Sequence, residues 1–580
     1  MSVLPGPGDN PLGHFFADFI ERLAAPSGCA QLGMVADLLG RARAEGHICL
    51  DLREVAAGSQ YDKLRRQLLA TPVVGEAGGR TPLIIDGHYL YLHRYHRAET
   101  MVADFIRSRQ GMDLQGLDPA GFKAAMARFF PGRDGAGPDW QQLAALAALT
   151  RKFTVISGGP GTGKTTTVAK ILALYVELHQ GRQKVIRLAA PTGKAAARLQ
   201  QAIVAAKSDL PLTAEVRQAL PHETVTIHRL LGLAGGRPRH DHNHPLVADL
   251  VVIDEASMVD LPLMAQLMAA LSPHATLLLL GDHFQLASVQ PGAVLGDICR
   301  HGQGFSDGFR EMAKHFALDL ADTPPARQEL ADAIVTLQTS YRFKAESGIQ
   351  RLSQAVKNGD CHEALAVLAD PACPDVDMVD YGDQCRDMVE TQLLPGFAEL
   401  MAGGTRQAQL DKLASLGVLC AHRRGVAGME DVNKILVARA GGGTGLMPYA
   451  GLPVMISRNS YGLQLYNGDT GVVVEEQGRL LACFAEHDGV RLVPARRLPP
   501  YEAAYAMTIH KSQGSEFDRV VVVLPPKSSA ILGRELLYTA LTRARHSVQV
   551  WGGEEVLRQA VNSAVQRVSG LADRLWQGSL

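Results

Sequence analysis

The chain has 580 residues, 46% hydrophobic and 20% charged, with a formal net charge of −1. That is enough chain for about three or four domains with ordinary buried cores, and it excludes a disordered, collagen-like or small disulfide-framework protein. The near-neutral balance excludes a protein coated in basic charge, while leaving room for a local basic channel.

The N-terminal MSVLPGPGDNPLG lacks a charged segment followed by an apolar run, so no secretory signal is predicted. No apolar run reaches the ~20 residues that span a bilayer, so no membrane association is expected. The eight cysteines (Cys29, Cys49, Cys299, Cys361, Cys373, Cys385, Cys420 and Cys483) include no C-x-x-C pair. The expectation is reduced thiols in a cytoplasmic protein, without a zinc or iron–sulfur site.

Residues 1–110 carry helical apolar periodicity and one strand-like stretch, 82–95 (PLIIDGHYLYLHRY), whose Asp86-Gly87 step predicts a hairpin turn. This predicts a mainly helical N-terminal domain without a catalytic constellation. Residues 111–139 read as a linker, on the Gly, Pro and Asp content of 131–139 (PGRDGAGPD). Strand and helix patterns then alternate to about residue 335, predicting a domain over 140–335 built on a parallel sheet. A second α/β block, 336–580, starts near Leu337 and has strand candidates at 417–421, 518–524 and 548–551. Between about 440 and 500, short β-like runs (LPVMISRNS, TGVVVEE, RLLACFAE, VRLVPA) alternate with Gly, Asn and Asp turns. They predict a small inserted β-barrel.

The β-rich run 153–157 (FTVIS) leads into Gly158-Gly159-Pro160-Gly161-Thr162-Gly163-Lys164-Thr165 and then a helical stretch to about Leu178. Strand, G-x-x-x-x-G-K-[ST], helix is the P-loop in its required context. The glycines let backbone N–H groups turn toward phosphates, and the helix N-terminus adds the positive end of its dipole. Lys164 supplies a mobile cation and Thr165 a hydroxyl for Mg²⁺, so ATP and Mg²⁺ are the expected ligands. The carboxylate such a site needs is offered by 250–255 (LVVIDE). Four apolar residues bury a strand and two acids emerge at its tip: Asp254 to hold the Mg²⁺ shell, Glu255 to polarise the attacking water. A third strand, 276–280, leads to Gln285, where a γ-phosphate sensor is expected. Arg342 (in TSYRF) and Arg543 (in YTALTRAR) are candidates to reach the triphosphate across a cleft and stabilise transition-state charge.

Taken in order, Gln141, GGPGTGKT, 190–195 (APTGKA), 226–231 (TIHRLL), VVIDEASMVD, LLLLGDHFQLASV, TSYRF, 506–516 (AMTIHKSQGSE) and YTALTRAR resemble the full motif set of a superfamily-one helicase. The branch is similar to the RecD family, the alpha subunit of bacterial exodeoxyribonuclease V. Segments 89–99 (YLYLHRYHRAE) and 463–469 (LQLYNGD) fit that branch too, and the resemblance spans residues 80–552. It implies two RecA-like P-loop NTPase domains with an SH3-like module at 440–500. It also implies ATP-driven 5′-to-3′ movement on single-stranded DNA, within a RecBCD-type helicase–nuclease that processes double-strand DNA ends for recombinational repair. By the same resemblance, Gln141 contacts adenine. Thr192, His228, Thr508, His510 and Ser512 lie at the DNA face, and Gln513 and Glu516 couple that face to the ATP cleft. The implied partners are a RecB-like helicase–nuclease subunit and a RecC-like scaffold on which residues 1–110 dock. No metal-nuclease cluster is evident, which places the nuclease in another subunit.

His240, His242 and His244 alternate in RHDHNHPL, but the segment lies between Gly235-Gly236 and Pro245 and reads as a loop before it reads as a metal site. Tyr341, Phe343, Tyr461 and Tyr466 are candidates for stacking on bases or for core packing. The alternatives are a stand-alone superfamily-one helicase, on DNA or RNA, and an ATP-switch regulatory subunit without unwinding activity. Both directions of travel use the same ATP residues, so polarity rests on the resemblance alone.

Overall fold

Short strands and amphipathic helices share the first hundred residues. The computed structural model describes residues 11–576 apart from 114–117, 132–136, 180–183, 234–236, 303, 321–322, 343–346, 402–403, 442–446, 487–488 and 530. Phe343, Gly235, Gly236 and much of the expected 131–139 linker therefore lie outside the described residues. Helices Pro11–Ala24 and Leu32–Ala44 pack on each other and over a four-stranded sheet. Its strands are β1 (Cys49–Asp51), β2 (Val74–Glu76), β3 (Leu83–Asp86) and β4 (Tyr89–Leu92), in the order β1-β4-β3-β2. Ile20, Val35, Leu39, Leu83, Ile85 and Leu90 meet in one core. The β3–β4 hairpin closes with Asp86 opposite Tyr89 and Gly87 at φ +59°, the left-handed conformation that a two-residue turn requires. Helices supply most of this domain, but β1 and β2 go beyond the single strand-like stretch expected. At three residues each they are too short for a two-residue alternation to register.

The first parallel sheet is built of β5 (Phe153–Gly158), β6 (Ile186–Ala190), β7 (Thr224–Thr226), β8 (Leu250–Ile253), β9 (Thr276–Gly281) and β10 (Ile334–Leu337). All pairings are parallel, in the order β10-β5-β9-β8-β6-β7. Runs such as LVVI and LLLL suit strands covered on both faces. One face receives helices Trp140–Thr150 and Lys164–Leu178, through Leu143, Leu146, Ile171 and Leu172. The other receives helices His93–Arg107 and Leu261–Ala269, through Val102, Ile106, Met264 and Leu267. The boundary expected at 335/336 is corrected: it would cut β10, whose Ile334–Leu337 register is bound to Val155–Gly158 of the first sheet.

The second parallel sheet holds β11 (Val376–Val379), β12 (Leu416–Cys420), β18 (Ala506–Thr508), β19 (Phe517–Val523) and β20 (Ala544–Trp551), in the order β11-β20-β19-β12-β18. Between β12 and β18 the chain makes an antiparallel sheet of β13 (Pro453–Ile456), β14 (Thr470–Glu476), β15 (Arg479–Glu486), β16 (Gly489–Pro494) and β17 (Tyr501–Ala503). Its order is β16-β15-β14-β13-β17, and among the described residues no pairing joins the two end strands. An inserted β module is present; closure into a barrel is not part of its hydrogen-bond ladder.

After helix Glu554–Asn562 the chain leaves the second parallel sheet and runs back across the helices covering the first. Helix Leu571–Trp576 packs on His93–Arg107 and on Val294–Cys299, burying Leu571, Leu575 and Trp576 with Tyr91, Val102 and Ile298. Arg574 pairs with Glu99 and Asp86, and Tyr89 Oη donates to Asp573 at 2.8 Å. This return is a strap that ties the segment after the second sheet to the N-terminal domain.

Below the first sheet, Arg151 and Asp332 form an ion pair at 2.7 Å with side chains 1% and 0% exposed. Ser306 adds its N–H and Oγ–H to the same carboxylate. Asp332→Ala strands the guanidinium, and removing one partner of such a pair costs about 3–5 kcal/mol. The first unfolding transition in urea is expected to fall accordingly; a loss under about 1 kcal/mol would show that the pair contributes little.

Candidate nucleotide and nucleic-acid site

β5 delivers the phosphate loop at the carboxyl edge of the first sheet, next to β9 and β10. Gly161 (φ +75°) and Gly163 (φ +79°) take left-handed conformations, and helix Lys164–Leu178 starts directly after them. Thr162 Oγ1 donates to Gly159 O at 2.8 Å, bracing the loop. Lys164 Nζ folds back onto Gly158 O (2.5 Å) and Gly159 O (3.1 Å), a cation held at the loop's mouth. Asp139 caps helix Trp140–Thr150 and so aims Gln141 at the loop, where a Cβ on Gly163 would stand 2.9 Å from Gln141 Nε2. Beside Gly158, Gly159 and Pro160 lies a cavity of about 580 Å³, also lined by Trp140, Gln338 and Lys357.

Asp254 and Glu255 follow β8. Glu255 sits at φ +50°, ψ +43°, a conformation costly for a residue with a Cβ and found where function fixes the backbone. Burial, and then Glu255, push the Asp254 carboxyl up to about 7, against the pull of Lys164. Thr165 and Asp254 offer a hydroxyl and a carboxylate, the hard oxygen donors that Mg²⁺ takes. The two adjacent acids fit a divalent ion, with Lys164, Arg198 and Arg543 as the cations acting on them. Among the described residues, no group of three or more His, Cys, Asp and Glu side chains is placed to hold a metal.

Across the cleft the second α/β lobe meets this edge through a set of directed bonds. Asp282, after β9, accepts from Gln285 Nε2 (3.0 Å) and from Tyr538 Oη (3.1 Å). Leu286 N donates to Thr539 Oγ1 (2.9 Å), and Gln513 Nε2 donates to Leu286 O (3.0 Å). Gln285 and Gln513 are therefore both buried at the seam, on either side of one turn. Tyr341 N donates to Gly161 O at 2.7 Å, which lays the 339–342 segment over the phosphate loop. Arg543 is buried, donates to Thr539 O and Ser515 O, and faces Glu255 electrostatically.

Glu516 gathers three arginines: Arg342 at 2.6 Å, and Arg198 and Arg545 at 3.2 Å. Burial alone would raise its carboxyl, but the arginines outweigh it and hold the pKa down at about 2. Lys194 Nζ donates to Ser515 Oγ at 2.6 Å, and burial beside Arg198 lowers its pKa to about 8. Arg198, Arg545, Lys194, Asp282, Tyr538 and Thr539 are absent from the sequence-derived set. Lys194 and Arg198 stand one helical turn apart in helix Gly193–Asp209, a spacing that puts them on one face.

The expected nucleic-acid residues divide. Thr192 is half-exposed and caps helix Gly193–Asp209 by accepting from Ala195 N at 3.2 Å. His228 is exposed on the short helix Ile227–Leu230, and Thr508 is half-exposed at the end of β18. His510 is half-buried. The expectation that Ser512 contacts DNA is corrected: it is 0% exposed and its Oγ donates to Ile509 O at 2.8 Å, closing its own turn. Tyr466, in the inserted module, packs on Gly193, where a Cβ would stand 3.1 Å from its ring.

The RecBCD enzyme subunit RecD N-terminal domain matches residues 10–91, an AAA domain 141–291 and a UvrD-like helicase C-terminal domain 503–550. The RecBCD enzyme subunit RecD of Mycolicibacterium smegmatis is 38% identical over 573 residues, covering 94% of this chain and 94% of its own. The chain belongs to the RecD family. That of Haemophilus influenzae is 34% identical over 539 residues, covering 85% and 81%. The ATP-dependent RecD2 DNA helicase of Deinococcus radiodurans is 30% identical over 463 residues, covering 79% of this chain and 54% of its own. Within this RecD chain the AAA match spans Gln141, the phosphate loop, Asp254, Glu255 and Gln285. The UvrD-like match spans Thr508, Gln513, Glu516 and Arg543.

A Cβ on Gly161 would collide with that of Arg342 and require a strained positive φ. Gly161→Ala is expected to lower kcat/KM for ATP by at least about tenfold, with a thermal melt close to that of the parent. A variant of full activity would mean that the loop does not need this close approach.

Proposed function

We propose that this chain is an ATP-dependent 5′-to-3′ translocase and helicase on single-stranded DNA. It acts as the RecD subunit of a RecBCD-type helicase–nuclease that processes duplex DNA ends for recombinational repair. The observation that carries the reading is the seam: a P-loop and an acid pair on one parallel sheet, faced by Arg342 and Arg543 and tied to the second sheet through Gln285, Leu286 and Gln513.

In this reading Lys164 and the N–H groups of the loop bind the β- and γ-phosphates, with Gln141 at the base. Thr165 and Asp254 would hold Mg²⁺, which when bound neutralises phosphate charge. Glu255 orients and takes a proton from the attacking water. Arg342 and Arg543 stabilise charge on the transferring phosphoryl group, and the Asp282–Tyr538 and Leu286–Thr539 bonds carry the change to the second lobe. Thr192, His228 and Thr508 contact the DNA backbone, giving a grip that is independent of sequence and sensitive to salt. Directionality is supported by membership of the RecD family.

The subunit reading has a surface to go with it. Helix Pro11–Ala24 buries Ala17, Ile20 and Ala24 on one face and exposes Phe15 and Phe19, with Met34 exposed on the neighbouring helix. These belong to the segment matched by the RecD N-terminal domain, and an exposed aromatic patch there suits a scaffold subunit. Phe15→Glu with Phe19→Glu is expected to abolish co-purification with that subunit while ATP hydrolysis by the isolated chain persists. Undiminished co-purification would place the contact elsewhere.

Strand displacement on duplexes with a 5′ or a 3′ single-stranded tail tests the activity. Unwinding of only the 5′-tailed substrate, lost in Lys164→Gln, is the expected outcome. Unwinding from the 3′ tail would overturn the polarity and leave the motor. ATP hydrolysis stimulated by DNA, with no unwinding by either the chain or its complex, would favour the ATP switch.

A further inference from the structure

The strap that follows helix Glu554–Asn562 brings a cation to a point where three bodies meet. Arg567 Nη1 donates to the carbonyls of Ser288 (2.6 Å), Gln290 (3.0 Å) and Gly292 (2.9 Å), all in the loop that follows Gln285. On its N-terminal-domain side, Gly46 at φ +92° packs so closely that a Cβ there would stand 3.1 Å from Arg567 Nε. Gly46 O in turn accepts from Gly292 N at 3.1 Å. The next residue, Val568, bonds on both sides, donating to His47 Nδ1 at 2.9 Å and accepting from Ile48 N at 2.8 Å. On the second-motor side stands His510. Burial and then Arg567 lower the pKa of both histidines, that of His47 to about 4.

Arg567 has no carboxylate partner among the described residues; burial lowers its own pKa, and backbone oxygens alone hold its charge. A half-buried guanidinium is costly unless acceptors are aimed at it, so three carbonyls converging on one nitrogen describe a loop shaped around a cation. The other end of that loop is already tied. Gln285 is bonded to Asp282, and Leu286 gives its N–H to Thr539 and its carbonyl to Gln513. The turn joining the nucleotide site to the second motor is thus stretched between the motor seam and Arg567.

We propose that Arg567 is a positioning residue of the motor. By gathering the carbonyls of Ser288, Gln290 and Gly292 it sets the register of the loop that carries Gln285 and Leu286, and so keeps that turn seated on the second motor sheet. The inference rests on the motor reading above. Because the same strap is paired to His47 and Ile48, the N-terminal domain is built into the support of the coupling turn.

Arg567→Gln and Arg567→Lys in the full chain test this, with ATP, Mg²⁺ and single-stranded DNA. For Arg567→Gln, kcat in the presence of DNA is expected to fall about tenfold while KM for ATP moves less than about twofold. Amide hydrogen exchange should rise within 284–292 and stay at the parental level in β5 and β8. Arg567→Lys should recover most of both, since an ammonium has three donors for three carbonyls. Unchanged exchange over 284–292 would overturn the proposal. So would a loss of protection spread evenly over the chain, which would make Arg567 a general structural contact. If the parent hydrolyses no ATP with DNA, the motor reading fails, while the exchange measurement still decides whether Arg567 shapes the loop.

Discussion

A carboxylate surrounded by arginines is the interaction on which the motor depends. Arg198 comes from a helix of the first lobe, Arg342 from the segment lying over the phosphate loop, and Arg545 from β20 of the second lobe. Three guanidiniums brought this close repel one another, and Glu516 makes their assembly favourable while cancelling only part of their charge. The remainder is a positive field at the cleft, the sign a triphosphate requires. On the proposed function, a phosphate arriving there would compete for cations that Glu516 already holds, and nucleotide binding and the grip between lobes would draw on the same charges. The other bonds across the seam, Tyr538 to Asp282 and Gln513 to Leu286, are short-range and directional, and they change only when the lobes move.

The two parallel sheets and the phosphate loop were legible because their signals are local. LVVI, LLLL and VVVV are strands buried on both faces, and a P-loop is read from eight consecutive residues and their flanks. Other features depended on partners distant in sequence. β10 reads as the start of the second block until its pairing with β5 is seen. β1, β2 and β17 are too short to show a period. The closed barrel expected of the insertion required an end-to-end pairing that composition does not encode. Within the site, Ser512 belonged to the right motif, yet its hydroxyl satisfies a carbonyl in its own turn. Arg198 lies outside every motif and Arg545 ends YTALTRAR without a role read from it; only the fold brings them to Glu516.

The inserted module is more than an ornament on the second lobe. Its Tyr466 stands against Gly193, at the first turn of the helix that also carries Lys194 and Arg198. Gly193 leaves room for the ring; any larger residue would push it away. Asp469, which accepts from Tyr466 N at 2.7 Å and interacts with Lys194, fixes that tyrosine from its own side. A module covalently part of one lobe therefore leans on the other, beside Thr192, which is proposed to contact nucleic acid.

The strap has a consequence for biosynthesis. Arg574 and Asp86 are bonded although 488 residues separate them in sequence, and Trp576 fills a core whose other members include Tyr91 and Ile48. A nascent chain emerges with this hydrophobic pocket open and keeps it open until Leu571–Trp576 has left the ribosome, because contacts between distant segments close last. A prematurely terminated product would carry an intact P-loop beside an uncovered apolar surface. Helix Leu571–Trp576 thus ties the covering of an early-made apolar surface to a segment translated nearly five hundred residues later.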